Sequence, residues 1–170
     1  QELNLHYPTN TLVTGFDIIF FWVARMLMMG MHFMKDIPFE TIYVHPLVRD
    51  EKGNKMSKSK GNVINPLDII NEYGSDALRF TLASMAVQGG DIKLSIDRVQ
   101  GYRNFATKLW NSVRFSEINF CKIDKNFEPK KCQHPVNLWI INEINILNKN
   151  VSNGIETFRF NEAADVIYHF

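Results

Sequence analysis

The sequence predicts an α/β unit followed by an all-α region, and three patterns along the chain support this division. A strand-like run at Thr11–Thr14 leads through a turn into an apolar stretch at Ile18–Met31. A second run rich in β-branched residues covers Thr41–Val48, and after Asp97 the apolar residues recur at helical spacing. Strand, helix and strand in this order predict a parallel sheet with a right-handed crossover.

The composition is that of an ordinary globular protein. The 170 residues are 45% hydrophobic and 22% charged, which argues against disorder, a collagen-like repeat or a coiled coil. The formal charge is +1, but residues 98–170 hold ten basic and seven acidic side chains, while residues 1–97 hold nine and eleven. The second part of the chain can therefore take an anionic partner, although it does not require one.

The apolar stretch Phe16–Met34 predicts a buried helix. Asp17, Arg25 and His32 interrupt it, so it falls short of an uncharged membrane span. No cationic stretch followed by an apolar core opens the chain, and neither a signal peptide nor a membrane partner is predicted.

The two cysteines predict a reducing compartment, and we expect a cytoplasmic location. Cys121 and Cys132 have the spacing of neither a zinc site nor a disulfide framework, and no metal site is predicted. The chain begins with Gln1 and ends at Phe170 inside an apolar-periodic run. We therefore expect it to be an excerpt of a longer polypeptide.

Two short helices are predicted between the strands and the helical region. Asn65-Pro66 opens the first, which runs to Tyr73 and is closed by Gly74 as a C-cap. Ser75 is predicted to cap the second, and Gly89-Gly90 to end it.

The region after Asp97 predicts a helical bundle. One apolar face is formed by Val99, Tyr102, Ala106, Leu109, Trp110 and Val113. A lysine-rich connector at Lys122–Lys131 precedes a second helix, with Pro135 in its first turn. The seam of that helix is Leu138, Ile141, Ile144, Leu147, Val151 and Ile155. Asn161 is predicted to be the N-cap of a third helix.

The sharpest chemical pattern is the loop Lys55-Met56-Ser57-Lys58-Ser59, followed by Lys60-Gly61-Asn62. Ammonium groups interleaved with small hydroxyls can close over a polyphosphate, with the lysines acting as point charges and the hydroxyls donating hydrogen bonds. A solvated lysine–serine surface loop is the alternative. The pattern is not that of a P-loop.

The five residues 55–59 are the signature loop of the class I aminoacyl-tRNA synthetases, and the chain resembles the valine-specific members of that family over nearly its whole length. The other similar segments are 14–26, 45–53, 61–66, 76–80, 103–105 and 108–111. The isoleucine-specific members usually carry a Gly-Ser-Asp-Gln-His type of sequence where this chain has residues 15–19, Gly-Phe-Asp-Ile-Ile. This difference favours valine.

The resemblance implies a division into three parts. Residues 1–66 would be the carboxyl-terminal half of a Rossmann-like catalytic domain, residues 67–97 a connector that contacts the tRNA stem, and residues 98–170 the start of a helical anticodon-binding domain. The family's second signature, His-x-Gly-His, does not occur in the chain, and the editing insertion is also missing. The remainder of the polypeptide would supply both, so the chain alone is expected to be inactive.

The resemblance also implies an activity and its residues. The family activates its amino acid, here valine, with ATP and Mg²⁺ and transfers it to tRNA, here tRNA(Val). Lys58 and Lys55 would be catalytic, and Ile18 would line the valine pocket. The implied ATP-binding residues are Gly15, Asp17, His45, Val48, Lys55, Met56, Ser57, Lys58 and Ser59.

Each of these residues also has a plain structural interpretation. Asp17 can be a carboxylate that favours a helix N-terminus, Ile18 a core residue, and His45 a satisfied core histidine. Trp22, together with Met26, Met28 and Met29, is predicted to pack rather than to line a pocket.

The helical region offers four cations for the tRNA backbone, Arg98, Arg103, Lys108 and Arg114. Trp110 could stack on a base, although a core position is preferred. Two other functions remain open: an isoleucine-specific synthetase, and a non-catalytic module that binds RNA or a nucleotide.

Overall fold

The first part of the chain is a parallel strand–helix–strand unit, as the sequence predicts. A computed structural model describes residues 2–170, beginning with a short helix, α1 (Glu2–His6). Strands β1 (Thr9–Gly15) and β2 (Phe39–His45) pair in parallel, and the register places Gly15 opposite His45. The two strands therefore end side by side, at the edge of the sheet where ligands of α/β proteins bind.

The predicted helix at Ile18–Met31 is three consecutive pieces. The chain makes a 3₁₀ turn at Phe16–Ile18 and a π-helical turn at Ile19–Val23, and then continues as helix α2 (Ala24–Phe33). The helical direction is as predicted, but the tight first turn and the wide second turn change which side chains share a face. The apolar periodicity could not show this, because it assumes a constant 3.6 residues per turn.

The prediction that this stretch is buried is wrong. Between residues 16 and 34 only Val23 is buried, and Phe20 is 88% exposed. The physical reason is that residues 2–170 supply no second layer over this surface, so its apolar side chains face outward. By length and composition Phe16–Phe33 is one helical stretch that could cross a membrane, and only 11% of it is buried. The charges that interrupt this stretch therefore do not exclude it as a membrane span by length and composition.

The second strand ends earlier than predicted. β2 stops at His45, because Pro46 has no N–H to continue the ladder. Val48 lies instead in β3 (Val48–Arg49), which pairs in parallel with β4 (Ile92–Lys93) in a separate two-stranded sheet. His45 and Val48 thus belong to two different sheets.

Two short helices, α3 (Pro66–Tyr73) and α4 (Ser75–Ser84), follow the loop. The predicted start of α3 is confirmed, since the Asn65 side chain accepts a hydrogen bond from the Leu67 N–H at 3.1 Å. Gly74 separates the two helices with a φ of +90°, and it takes the cap position predicted for Ser75. α4 ends at Ser84, five residues before Gly89, so the predicted end is wrong.

The hydrophobic core lies in the middle of the chain. Ile69 of α3, Ala77 and Leu78 of α4, Leu94 and Val99 form one buried cluster. Val99 belongs to helix α5 (Ile96–Ile118) and is fully buried. The first turn of α5 is therefore anchored in the same core as the two short helices. The three-part division of the chain remains a prediction.

Helices α6 (Pro135–Glu156) and α7 (Phe160–His169) complete the chain after a connector without α-helix, as predicted. α7 begins one residue before Asn161, with Arg159 in the cap position. α7 packs on α6 and α4. The junction is tight, because a Cβ on Gly154 would lie 3.0 Å from the Cβ of Ala163.

The predicted apolar faces of the helical region are only partly covered. Leu109, Trp110 and Val113 are exposed, and Trp110 at 70% exposure is not a core residue. The covered side of α5 carries Tyr102 and Phe105, whose rings contact Phe80 of α4 and Tyr168 of α7. Within the seam of α6, Leu138, Ile144 and Ile155 are exposed. These helices expose apolar side chains because the described residues place few partners beside them.

An aromatic cluster joins the helical region to β2. Tyr43 stacks on Phe158 at 5.6 Å between ring centroids and meets Phe160 edge-on at 5.5 Å. Phe158 lies between α6 and α7 and has a φ of +58°, a conformation that a bulky residue adopts only when its surroundings hold it.

The core predicts a clear contrast between two valines of one helix. Val99→Ala should lower the free energy of unfolding by roughly 2 kcal/mol, because it removes buried methyl groups and leaves a cavity. Val113→Ala makes the same chemical change at a position that is 63% exposed and should change it by less than about 0.5 kcal/mol. Urea unfolding followed by circular dichroism measures both, and equal effects would place the core elsewhere.

Candidate functional site

The first part of the site is the shared carboxyl end of β1 and β2. An ideal Cβ on Gly15 would lie 2.7 Å from the Asp17 Oδ1, 3.3 Å from the Leu47 Cδ2 and 3.7 Å from the His45 Cε1. These three side chains converge at the strand end, and a side chain at position 15 would displace the tip of Asp17. The His45 Nδ1 lies 3.0 Å from the Pro46 carbonyl, so Nε2 is the ring nitrogen left for another partner.

A cleft of about 300 Å³ opens beside this strand end. Its lining residues are Phe16, Val44, His45, Pro46, Gly89, Gly90 and Asp91. An ion pair between Arg49 and Asp91 fixes the Gly89–Asp91 turn to β3. Sequence reasoning missed this turn because it treated the two glycines as the end of a helix. The signal available was Gly-Gly-Asp directly before a short strand, the pattern of a backbone that approaches a ligand closely.

The second part of the site is the cationic loop. It opens with an antiparallel bridge between Arg49 and Lys55, makes a 3₁₀ turn at Lys58–Lys60, and closes at Gly61 with a φ of +67°. Lys58, Ser59 and Lys60 are exposed. None of the ion pairs within residues 2–170 involves a lysine of this loop. These ammonium groups therefore remain available to an anion.

Asp50 and Asn62 hold the two ends of the loop together. The Asn62 amide donates to the Asp50 Oδ2 at 2.9 Å and to the Lys55 carbonyl at 3.3 Å, and its oxygen accepts the Ser57 N–H at 2.9 Å. The hydrogen bond from Asn62, followed by that from the Asn54 N–H, lowers the pKa of the Asp50 carboxyl below its ordinary value. The carboxylate is therefore ionised at neutral pH. Sequence reasoning assigned neither residue, although both flank the signature loop.

The structure brings the predicted site residues together in two groups. Gly15, Asp17 and His45 meet at the strand end, with Asp17 exposed and Ile18 half-buried in the turn that follows β1. Val48 begins β3, beyond Pro46. The loop residues Met56 and Ser57 are half-buried, whereas Lys55, Lys58 and Ser59 are exposed. No hydrogen bond of the described residues joins the loop to the strand end.

The four predicted cations of α5 are all exposed but do not share one face. At about 100° per residue, Arg103, Trp110 and Arg114 fall within about 40° of one another, while Arg98 and Lys108 lie on other sides. Lys108 is directed to the Phe105 ring, with its Nζ 5.7 Å from the centroid. One side of α5 thus presents two guanidinium groups beside an exposed indole.

Within residues 2–170, no group of three or more His, Cys, Asp or Glu side chains is placed to hold a metal ion. Chemically, the site combines a carboxylate and an imidazole at a strand end with a loop whose lysines take part in none of the ion pairs of the described residues. Such an arrangement can hold a nucleoside at one part and neutralise phosphate charge at the other.

Comparison with known proteins gives relatives over nearly the whole chain. The valine–tRNA ligase of Bradyrhizobium diazoefficiens is 64% identical over 169 residues, which are 99% of this chain and 18% of that protein. The valine–tRNA ligase of Nitrobacter winogradskyi is 62% identical with the same coverage. That of Brucella suis is 59% identical, over 99% of this chain and 19% of that protein. The chain thus spans about a fifth of the length of these relatives.

A solved structure shares the fold. The Agrobacterium radiobacter K84 agnB2 LeuRS, crystallised as a ternary complex with tRNA and LeuAMS, matches 94% of this chain and 21% of its own with a TM-score of 0.80 and 22% identity. The sequence model described as "tRNA synthetases class I (I, L, M and V)" matches residues 1–95. Since that match covers more than half of the chain, and the signature loop falls within it, the chain belongs to the class I tRNA synthetases of this group.

Proposed function

We propose that the chain is the signature-loop segment of a valine–tRNA ligase, which activates valine with ATP and transfers it to tRNA(Val). The observation that carries this proposal is the exposed lysine loop held by Asp50 and Asn62, in a chain that is 64% identical to a valine–tRNA ligase. β1 and β2 would form the second half of a Rossmann-like sheet. The cytoplasm, where translation occurs, would be the location.

In the proposed activation step the valine carboxylate attacks the α-phosphate of ATP, and pyrophosphate leaves. Negative charge grows on the phosphates, so catalysis depends mainly on positioning and on fixed positive charge. Lys58 would contact the ATP phosphates and Lys55 would assist it, since both amines are exposed and outside any ion pair of the described residues. Ser57 and Ser59 would shape the turn, as their hydroxyls lie 3.2 Å apart. Mg²⁺ would arrive with the nucleotide.

The strand-end group would hold the nucleoside of ATP. The Asp17 carboxylate can accept hydrogen bonds from ribose hydroxyls, and Gly15 lets the ligand approach the backbone. His45 lines the cleft beside Gly89 and Gly90, where a flat base would fit. Val48 and Met56 would lie along the path between cleft and loop, and Ile18 would line the valine pocket.

In the proposed transfer step the valyl group passes to the 3′ end of tRNA. Arg103 and Arg114, on the same side of α5 as the exposed Trp110, are the best placed of the four cations for the tRNA backbone. Arg98 and Lys108 would contact other phosphates. His-x-Gly-His would come from the remainder of the polypeptide, so the segment alone would not catalyse activation.

The direct test is pyrophosphate exchange by the full-length protein that contains this segment. We expect exchange into ATP that depends on valine. Exchange stimulated by isoleucine alone would assign the isoleucine-specific alternative, and tRNA or nucleotide binding without any exchange would assign the non-catalytic one. The sequence upstream of residue 1 should encode His-x-Gly-His and an editing insertion.

Lys58→Ala should lower kcat/KM for ATP in pyrophosphate exchange by about 100-fold, because a fixed charge aimed at the transition state is removed. Lys58→Arg should recover part of this loss. Lys60→Ala is the matched control, since it removes the same charge from the same exposed turn, and it should cost less than about fivefold. If the two alanine variants are equally impaired, the loop acts only by its total charge.

Charge removal on α5 should weaken tRNA binding in a salt-dependent way. The double variant Arg103→Gln/Arg114→Gln should reduce the slope of log K against log salt concentration by about 2, roughly one unit for each phosphate that is no longer neutralised. Trp110→Ala should weaken binding without changing the slope if the indole stacks on a base.

Arg79→Gln/Lys149→Gln is the matched control for this experiment. It removes two exposed charges from α4 and α6 and should leave the slope unchanged. Filter binding at several salt concentrations measures all three variants. A slope that falls equally in the control would mean that the effect is one of net charge alone.

A further inference from the structure

The fixed base of the cationic loop contrasts with its free tip. At the base, the Asn62 side chain contacts Asp50, Lys55 and Ser57 by hydrogen bonds of 2.9, 3.3 and 2.9 Å. At the tip, the hydrogen bonds of Lys58–Lys60 stay within the turn itself, from the Lys60 N–H to Ser57 and from the Gly61 N–H to Lys58. Hydrogen bonds therefore hold the base of the loop to the fold, whereas those of the tip stay within the loop.

Asn62 is not needed for the turn that precedes the loop. Asp50 and Asn54 already close that turn, with the Asn54 N–H on the Asp50 Oδ1 at 2.7 Å and the Asp50 N–H on the Asn54 carbonyl at 3.1 Å. Asn62 donates to the Asp50 Oδ2, which also accepts the Asn54 side-chain amide at 3.2 Å, and it reaches the backbone of Lys55 and Ser57. Asn62 therefore links the Asp50 carboxylate of the turn to the backbone of the loop residues Lys55 and Ser57.

The pair joins positions 12 residues apart across the loop. Closing a loop of this length costs conformational entropy, and a hydrogen bond to an ionised carboxylate is stronger than a neutral one. Asp50 can provide such a bond, as its carboxylate accepts hydrogen bonds from both Asn62 and Asn54.

We propose that Asp50 and Asn62 are a positioning pair that fixes the base of the loop, so that Lys58 needs only a local rotation of the tip to reach the phosphates of a nucleoside triphosphate. This inference rests on the proposed function for its ligand. Its geometry, however, belongs to the chain alone and can be measured without catalysis.

A charge-swap cycle in the full-length protein tests the pair. Asn62→Ala should raise the KM for ATP in pyrophosphate exchange roughly tenfold, the value of a charged hydrogen bond, and leave the KM for valine unchanged. Asn62→Asp should be at least as impaired, because it sets two carboxylates against each other. In Asp50→Asn/Asn62→Asp the amide and the carboxylate exchange places, and the KM for ATP should return to within about threefold of the parent value.

The swap should keep the hydrogen bond between positions 50 and 62 with the donor reversed, but it loses the donations from the Asn62 amide to the Lys55 carbonyl and from the Asn54 side chain to the Asp50 Oδ2. Asn at position 50 can still accept the Asn54 N–H, and Asp at position 62 can still accept the Ser57 N–H. Asn71→Ala and Asp76→Asn are matched controls on exposed positions of α3 and α4 and should leave both KM values unchanged. A double variant as poor as Asn62→Asp, or equal rises in the KM for ATP and for valine, would overturn the positioning role.

Hydrogen exchange of the Ser57 amide separates this inference from the proposed function. Asn62→Ala should accelerate exchange in a peptide covering residues 55–61, and the double swap should restore protection. Unchanged exchange in Asn62→Ala would overturn the pair whatever the activity. Accelerated exchange in a protein without valine-dependent activity would keep the pair and overturn the proposed function.

Discussion

The parallel register of β1 and β2 is the constraint on which the site depends. Parallel strands need a crossover between them, and here the crossover runs through α2. The register then brings Gly15 and His45 side by side at one edge. The chain leaves that edge through Pro46 and continues into β3, which opens the cationic loop through its bridge to Lys55. Without this pairing, Asp17 and His45 would have no reason to converge.

The sequence predicted those parts of the fold that are set by local chemistry. Asn65-Pro66 and Gly74 mark helix ends by capping and by backbone conformation, and both were found where the pattern put them. Features that depend on distant partners were missed. Phe20 and Trp110 have the side chains of core residues but lie exposed, because apolar periodicity identifies a face and not what covers it. Val48 was misplaced because the pattern did not show that Pro46 separates two sheets.

The candidate site divides in the same way. The lysines and serines of the loop could be identified from their order alone, since a run of adjacent residues carries its own signature. The Gly89–Asp91 turn and the Asp50–Asn62 pair could not, because each acts through residues distant in the sequence. Arg49 meets Asp91 across 42 positions and Asp50 meets Asn62 across 12. Only the folded chain shows these residues beside the loop and the cleft.

The cluster of Tyr43, Phe158 and Phe160 has a consequence for how the chain can be divided. Tyr43 and His45 are two residues apart in β2, so their side chains lie on the same face of the strand. The corner between α6 and α7 rests on that face through Tyr43. The strand that presents the imidazole is thus packed against Phe158 and Phe160, which lie far from it in the sequence. If the protein were divided between its sheet-forming and helical parts, aromatic side chains that pack on each other here would become exposed on both pieces.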